Sequence, residues 1–277
     1  MNIMPELPEV ETIRKTLREL VIGKVIDEVI VSWPKIIKRP EDREQFCRVL
    51  KGETINEIGR RGKFLKFYLD RYVLVSHLRM EGRYGLYPKI KPIEPHTHVI
   101  FRFQDETELR YRDVRKFGTM HLYQKGEEEK HPPLSQLGME PFSEQFTAER
   151  LMSKLQSTSR NIKTVLLDQK IVAGLGNIYV DEVLFRSGIH PERLAKDLTA
   201  EKVKILHREI IQTLKEAVEK GGSTVRSYVN SQGQIGMFQL DLFVYAREKE
   251  QCKICGSPIQ KIKIGGRGTH FCSSCQV

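Results

Sequence analysis

No apolar run in these 277 residues approaches the 18 or so needed to cross a bilayer, and the N-terminus lacks the blocks of a secretory signal. A membrane partner is therefore not expected, and the chain reads as soluble and cytoplasmic. Cysteine is scarce, and its five copies form an odd number, which argues against a secreted disulfide framework. Internal repeats and low-complexity tracts are also missing, so neither a solenoid nor a disordered tail is expected. Acidic residues are in deficit, 36 against 46 Lys and Arg, and the resulting net charge of +10 favours a polyanionic partner. The hydrophobic share of 39% over this length is enough for two packed domains and a small third.

The few cysteines are not scattered. Cys252 and Cys255 form C-K-I-C, Cys272 and Cys275 form C-S-S-C, and sixteen residues separate the pairs. Each C-x2-C turn supplies two thiolates, and four thiolates close a tetrahedral zinc ion without leaving a position for water. One structural Zn2+ is expected there. A redox dithiol is the competing reading, which the paired spacing and a reducing compartment disfavour. Cys47 reads as a small buried hydrophobe.

Along the chain, Val10, Ile13, Leu17, Leu20 and Val21 have helical spacing over 8–21, with Pro8 suited to the first turn. Glu9 and Glu11 suit the positive end of that helix, but Glu6 lies before it and is not explained by capping. From 24 to about 123 come strand-like runs: KVIDEVIV, KFLKFYL, YVLVSHLRM, HVIFRF, ELRYRDV and TMHLY. They predict an antiparallel sandwich or barrel. KGEEEKHPPL at 125–134 reads as an interdomain linker. Helical patterns follow in TAERLMSKLQ, RNIKTVLLDQ, NIYVDEVLFRSG and 199–220, and a glycine-rich polar stretch fills 221–236.

Several segments have the chemistry of a phosphate or base partner. A-G-L-G-N-I-Y places glycines before a helix that Asn177 would cap, and exposed amides at such a start bind phosphate. Ordinary turn chemistry would look the same. Lys63, with Arg60 and Arg61, puts positive charge at a strand start, and a solvated basic loop is the bland alternative. Met80 in HLRMEG, and Arg115 and Phe117 in DVRKFG, sit among glycines and charges that suggest loop tips. Exposed there, they fit side chains that wedge into a base stack, although Met and Phe are more often core. Arg267 follows Gly-Gly at the tip of a hairpin between the cysteine pairs, presented outward.

PELPEVET, RRGKF, HLRMEGR, RDVRKFG, GLGNIYVDE and the cysteine module, in that order, resemble the bacterial formamidopyrimidine-DNA glycosylases, also called 8-oxoguanine DNA glycosylase/AP lyases. The resemblance runs from Pro5 to the C-terminus. It implies an α+β multidomain fold: an N-terminal helix with an antiparallel β-sandwich over 1–133, a helix–two-turns–helix DNA-binding domain over 134–236 carrying a lesion loop at 221–236, and a four-cysteine zinc-finger hairpin over 237–277. It implies excision of oxidised purines from damaged double-stranded DNA by a monomer with no obligate protein partner.

The resemblance also assigns roles. Pro5, freed at the N-terminus, is the nucleophile and Glu6 the acid/base, with Lys63 beside the damaged nucleotide and Arg267 completing the catalytic set as a phosphate clamp. Met80, Arg115 and Phe117 fill the vacated stack, Asn177 clamps a phosphate, and Ser223 and Thr224 approach the lesion base. His77 and Tyr245 are further expected DNA contacts. One departure matters: with Met1–Ile3 and Met4 attached, Pro5 is an internal amide with no nucleophilic lone pair. The active chain is therefore expected to start at Met4 and lose it, residues 1–3 being a misassigned start.

Two rivals stay open at this stage. An endonuclease VIII-like enzyme for oxidised pyrimidines shares the proline, but begins PEGPE rather than PELPE. A non-catalytic damage-binding protein would use the same clamps with Pro5 blocked. A zinc ribbon appended to an unrelated enzyme explains the C-terminus but not PELPEVE.

Overall fold

A computed structural model describes residues 4–223 and 237–277. The start-site expectation for residues 1–3, Thr224 and most of the expected lesion loop lie outside the described residues. The chain divides into two compact units, residues up to 135 with 221–223, and residues 136–220 with 237–277. The cysteine module thus shares a unit with the helices.

The first unit opens with α1 (Leu7–Val21), whose buried face is Val10, Ile13, Leu17 and Val21. There follow β1 (Ile26–Val31), β2 (Ile37–Arg39), α2 (Arg43–Leu50), β3 (Glu57–Arg61), β4 (Phe64–Tyr68), β5 (Tyr72–His77), β6 (Arg83–Pro88), β7 (Thr97–Phe103), β8 (Thr107–Arg112) and β9 (Thr119–Gln124). One sheet has the order β1-β7-β8-β6 and the other β2-β9-β5-β4-β3. Pairings in both are antiparallel except β2 with β9, which is parallel. The inner faces share one core with α1 and α2, including Phe46, Leu65, Leu74, Val99, Leu109 and Met120. Burial of these side chains at about 25 cal/mol per Å² is the main force holding the sandwich.

The stretch at 125–134 is not a free linker. Its Glu129 and Glu128 face Lys66 at 2.7 and 3.8 Å, and Pro132 O accepts the Tyr123 hydroxyl. Ion pairing holds it on the sandwich.

In the second unit, α3 (Ala148–Gln156), α4 (Ile162–Leu167), α5 (Asn177–Arg186) and α6 (Ala200–Glu219) precede a hairpin of β10 (Gln260–Ile264) and β11 (Arg267–Phe271). Thr147, Asn161 and Thr199 cap α3, α4 and α6 through their side chains. Helix α5 is buried nearly all round, from Ile178 to Phe185, and makes the axis of the unit. No helix among the described residues is long and apolar enough to cross a membrane.

Candidate nucleic-acid interface and cysteine centre

Strand register gathers most of the first unit's candidates at one end of the five-stranded sheet. Phe64 pairs with His77, and His77 pairs with Thr119. Lys63 immediately precedes β4, Met80 follows β5, and Arg115 and Phe117 precede β9, so all of them emerge at that end. Helix α1 lies along β3, with Arg14 Nη1 donating to Ile58 O at 3.1 Å and Arg60 Nε to Glu11 Oε2 at 3.0 Å. This direction carries the start of α1, with Pro5 and Glu6, toward the Gly62–Lys63 turn.

Pro5 is buried, and Glu6 is the N-cap of α1. Glu6 therefore has the capping role that the sequence did not reveal: its side chain and that of Glu9 form a reciprocal box, in which Glu6 N donates to Glu9 Oε2 at 2.9 Å. The other Glu9 oxygen accepts the Ser223 amide at 2.8 Å and its hydroxyl at 3.2 Å. Glu9 is thus less a dipole-end carboxylate than the link between the N-terminus and the segment starting at 221. Gly222 has φ +82°, and a Cβ there would stand 2.8 Å from Glu9 Oε1, so the approach requires glycine.

Lys63 sits in a two-residue hairpin turn after Gly62 (φ +56°) and is almost fully buried, as is His77. Arg60 and Arg61 differ from the sequence expectation of free positive charge, because they face Glu11 and Glu129. The His77 ring packs edge-on against Phe64 at 4.5 Å, and its Nδ1 accepts the Arg79 amide at 2.9 Å, leaving the ring proton to Nε2. Burial holds its pKa well below the ordinary histidine value, assisted by the charges of Arg79 and Lys63 and by His121, so it is neutral.

Two loops carry the expected wedge. Arg79 in one (φ +54°) and Lys116 in the other (φ +59°) are non-glycine residues held left-handed beside Met80 and Phe117. Phe117 is half exposed, Arg115 is exposed, and their guanidinium and ring stack at 4.7 Å. Met80 is half-buried rather than at an open tip. The fully buried Asp113 shapes the second loop by accepting the Arg115 amide at 3.1 Å and the Gly118 amide at 2.8 Å.

In the second unit the N-cap of α5 is Gly176 and not Asn177, which is the first helical residue and instead donates from Nδ2 to Gly268 O at 2.9 Å. It thereby fastens the helix start to β11, at whose head Arg267 stands exposed after the two-residue turn Gly265–Gly266, both with positive φ. Gln169 braces the turn before α5, accepting the Gly174 amide at 2.9 Å and donating to Leu175 O at 2.7 Å. Below, Lys163 on α4 is fully buried against Asp181 on α5, whose other oxygen accepts the His270 amide of β11 at 2.9 Å. Glu182 accepts the amides of Phe243 (2.8 Å), Val244 (2.9 Å) and Tyr245 (2.8 Å), while burial raises its pKa against those bonds. The ring of Tyr245 is buried edge-on against His270 at 5.1 Å, so it is a packed residue and not a displayed one. Lys163, Asp181 and Glu182 were missed from the sequence; their only signal was charge inside otherwise apolar helical runs.

The four module cysteines converge, their sulfurs all within 4.8 Å of one another. Cys252 Sγ and Cys275 Sγ are 3.9 Å apart, and Cys255 Sγ and Cys272 Sγ 3.4 Å. Tetrahedral bonds of about 2.3 Å to zinc require sulfurs roughly 3.8 Å apart, so the donor set fits a four-coordinate metal ion.

Residues 4–120 match the family described as Formamidopyrimidine-DNA glycosylase N-terminal domain, and 137–229 the Formamidopyrimidine-DNA glycosylase H2TH domain. The chain belongs to the formamidopyrimidine-DNA glycosylase family. Residues 249–277 add the match Zinc finger found in FPG and IleRS. Among relatives bearing the family's name, the Bacillus licheniformis protein is 67% identical over 273 residues, covering 99% of each chain. The Bacillus subtilis protein is 63% identical over 273 residues, again covering 99% of each. A solved mutant of Lactococcus lactis FPG in complex with a Fapy-dG containing DNA has a TM-score of 0.93 at 42% identity, over 98% of this chain and 99% of that one. The L. lactis protein in complex with an abasic site containing DNA gives 0.91 at 43%, with the same coverage.

Proposed function

We propose that this member of the glycosylase family excises its base through Pro5 and then cleaves the strand. The chain is a DNA glycosylase of base-excision repair that acts on oxidised purines. The carrying observation for the residue roles is the convergence at one sheet end of α1's start, Lys63, His77 and the two wedge loops.

A base in duplex DNA is out of reach until it is flipped, at a cost of about a few kcal/mol, and Met80, Arg115 and Phe117 offset that cost by filling the gap. Freed of Met4, the Pro5 amine attacks C1′ and the bond to the base breaks as the departing base takes up a proton. The secondary amine leaves a cationic iminium on the opened sugar, which acidifies C2′. Loss of that proton breaks the C3′–O bond, and a second elimination breaks the C5′–O bond. Glu6, fixed as N-cap beside Pro5, moves protons at the sugar. Lys63, buried at the same end, stabilises the phosphate charge in a low-dielectric setting. Asn177 and Arg267, tied together through Gly268, clamp phosphates, and Ser223 contributes to recognition of the flipped base.

The four cysteines would hold one structural Zn2+, which would fasten C-K-I-C to C-S-S-C on either side of the Arg267 hairpin. We assign the three modules the boundaries 133/134 and 236/237, and place the protein in the cytoplasm as a monomer acting on damaged double-stranded DNA.

The test is to incubate protein starting at Met4 with duplex containing 8-oxoguanine opposite cytosine, add borohydride and map the adduct by mass. A trapped sugar on a peptide beginning at Pro5 is the expected result. Tight lesion binding by protein with a confirmed free Pro5, but no adduct, would replace this reading with the damage-binding one.

A further inference from the structure

We propose that Tyr111 is a positioning residue for base extrusion. Its phenol is the common spacer that sets the Met80 loop against the Arg115–Phe117 loop, so that the three side chains enter the stack as one body. The proposal rests on the reading of those three as the wedge.

Tyr111 lies on β8, fully buried, with its ring edge-on to Tyr84 at 5.0 Å. Tyr84 in turn donates to Ser76 Oγ on β5 at 2.8 Å, so the tyrosine pair bridges the two sheets. The Met80 loop leads from β5 to β6, and the Arg115–Phe117 loop from β8 to β9. Both connections therefore switch sheets, and the phenol ends between them.

Its hydroxyl meets one glycine of each loop. A Cβ added to Gly82 would fall 2.2 Å from the Tyr111 oxygen, and one added to Gly118 would fall 1.8 Å from it. Neither glycine belongs to the positive-φ set, so backbone conformation does not demand glycine at either place. The phenol does. At Gly82 the Leu78 carbonyl is a second obstruction at 2.6 Å, which makes Gly118 the cleaner reporter.

The braces of His77 and Asp113 each act within one loop. His77 Nδ1 holds the Arg79 amide, and the Asp113 carboxylate holds the amides of Arg115 and Gly118. Tyr111 touches both loops, with Gly118 next to Phe117 and Gly82 two residues after Met80. Without the hydroxyl each loop keeps its own shape but loses its reference to the other.

The experiment is single-turnover excision of 8-oxoguanine from duplex by protein starting at Met4. Met80→Ala, Phe117→Ala and the pair are measured in the native and the Tyr111→Phe backgrounds. Because a misplacement of ~1 Å can cost about 100-fold, Tyr111→Phe alone is expected to slow excision by about 10-fold. In the native background the two wedge losses overlap, the pair falling short of the product of the singles by roughly 5-fold or more, whereas in Tyr111→Phe they multiply. Gly118→Ala is slower than either, and Gly118→Ala with Tyr111→Phe recovers part of the rate, because the new methyl occupies the oxygen's place. A Tyr111→Phe protein with native rate, or one that is slowed while the overlap persists, overturns the proposal. If Met80→Ala and Phe117→Ala each excise at the native rate, the wedge reading itself has failed and takes the proposal with it.

Discussion

Two hairpin turns each present one basic residue after glycine, and they do opposite things with it. The Gly62–Lys63 turn buries its lysine at the sheet end where α1 begins. The Gly265–Gly266 turn leaves Arg267 exposed at the head of β11. A buried cation acts strongly over a few ångströms and is hardly screened, while an exposed one is screened within about 8 Å at physiological salt. The lysine therefore suits a charge that develops during reaction, and the arginine suits holding and steering of a polyanion. The supports differ as well: packing against a nine-stranded sandwich on one side, four sulfurs and a buried ion pair on the other.

Removing the proposed structural zinc should break the comparison most severely. Structural zinc contributes about 10 kcal/mol or more to small folds, so a chelator, or Cys272→Ser, is expected to unravel β10–β11 and abolish stable duplex binding. Amide exchange should show protection lost from 260–271 but kept in β4 and β5; equal loss in both would mean the supports are not separate. Next comes Lys163→Met, which takes the cation from Asp181 and leaves that carboxylate buried against His270. Loss of one partner of a buried pair costs about 3–5 kcal/mol, to be read from denaturant unfolding. A neutral outcome would show that the pair does not hold the hairpin.

The two tips can then be compared directly. Lys63→Ala should lower single-turnover excision by about 100-fold with little change in affinity. Arg267→Ala should instead weaken damaged and undamaged duplex alike, by about 10-fold, and reduce the salt slope of binding by about one unit. Exchange of these phenotypes, or a loss at Arg267 confined to one lesion, would make the arginine a base reader.

How much of this was legible depended on whether the signal was local. The alternating runs that became β1, β4, β5, β7, β8 and β9 were plain, as was the spacing of the four cysteines. Strands β2, β3, β6 and helix α2 were not: β2 has three residues, β3 buries only Ile58, α2 buries only Phe46 and Leu50, and in β6 the adjacent Tyr84 and Gly85 are both buried, which breaks the alternation. The two loops proposed as the wedge showed in their glycines, yet the partner that crowds both Gly82 and Gly118 is a tyrosine in a strand, invisible without coordinates. The role of Glu6 was hidden because its capping partner Glu9 stands in the first turn, where an acidic residue suits the helix dipole whether or not it also caps. The supports of Arg267 lie far back in the sequence, at Lys163 and Asp181, where periodicity carries no information about a tie.

The smallest effect expected is a pH dependence that belongs to the lysine end alone. His77 is kept neutral chiefly by burial and then by Arg79, Lys63 and His121, and burial likewise brings His121 down to about 4. The unfolded chain titrates these rings near 6.5 and so binds more protons than the folded one as pH falls below that value. Stability should therefore be flat above about pH 7 and decline below 6.5, by about 1 kcal/mol per pH unit for His77. His77→Gln, melted at pH 7.5 and 5.5, should lose about that much of the decline and retain the part due to His121. Above pH 7 its stability should depend on pH no more than that of the native chain. An unaltered slope would mean that His77 accepts a proton in place, and that the lysine beside it is better solvated than its burial implies.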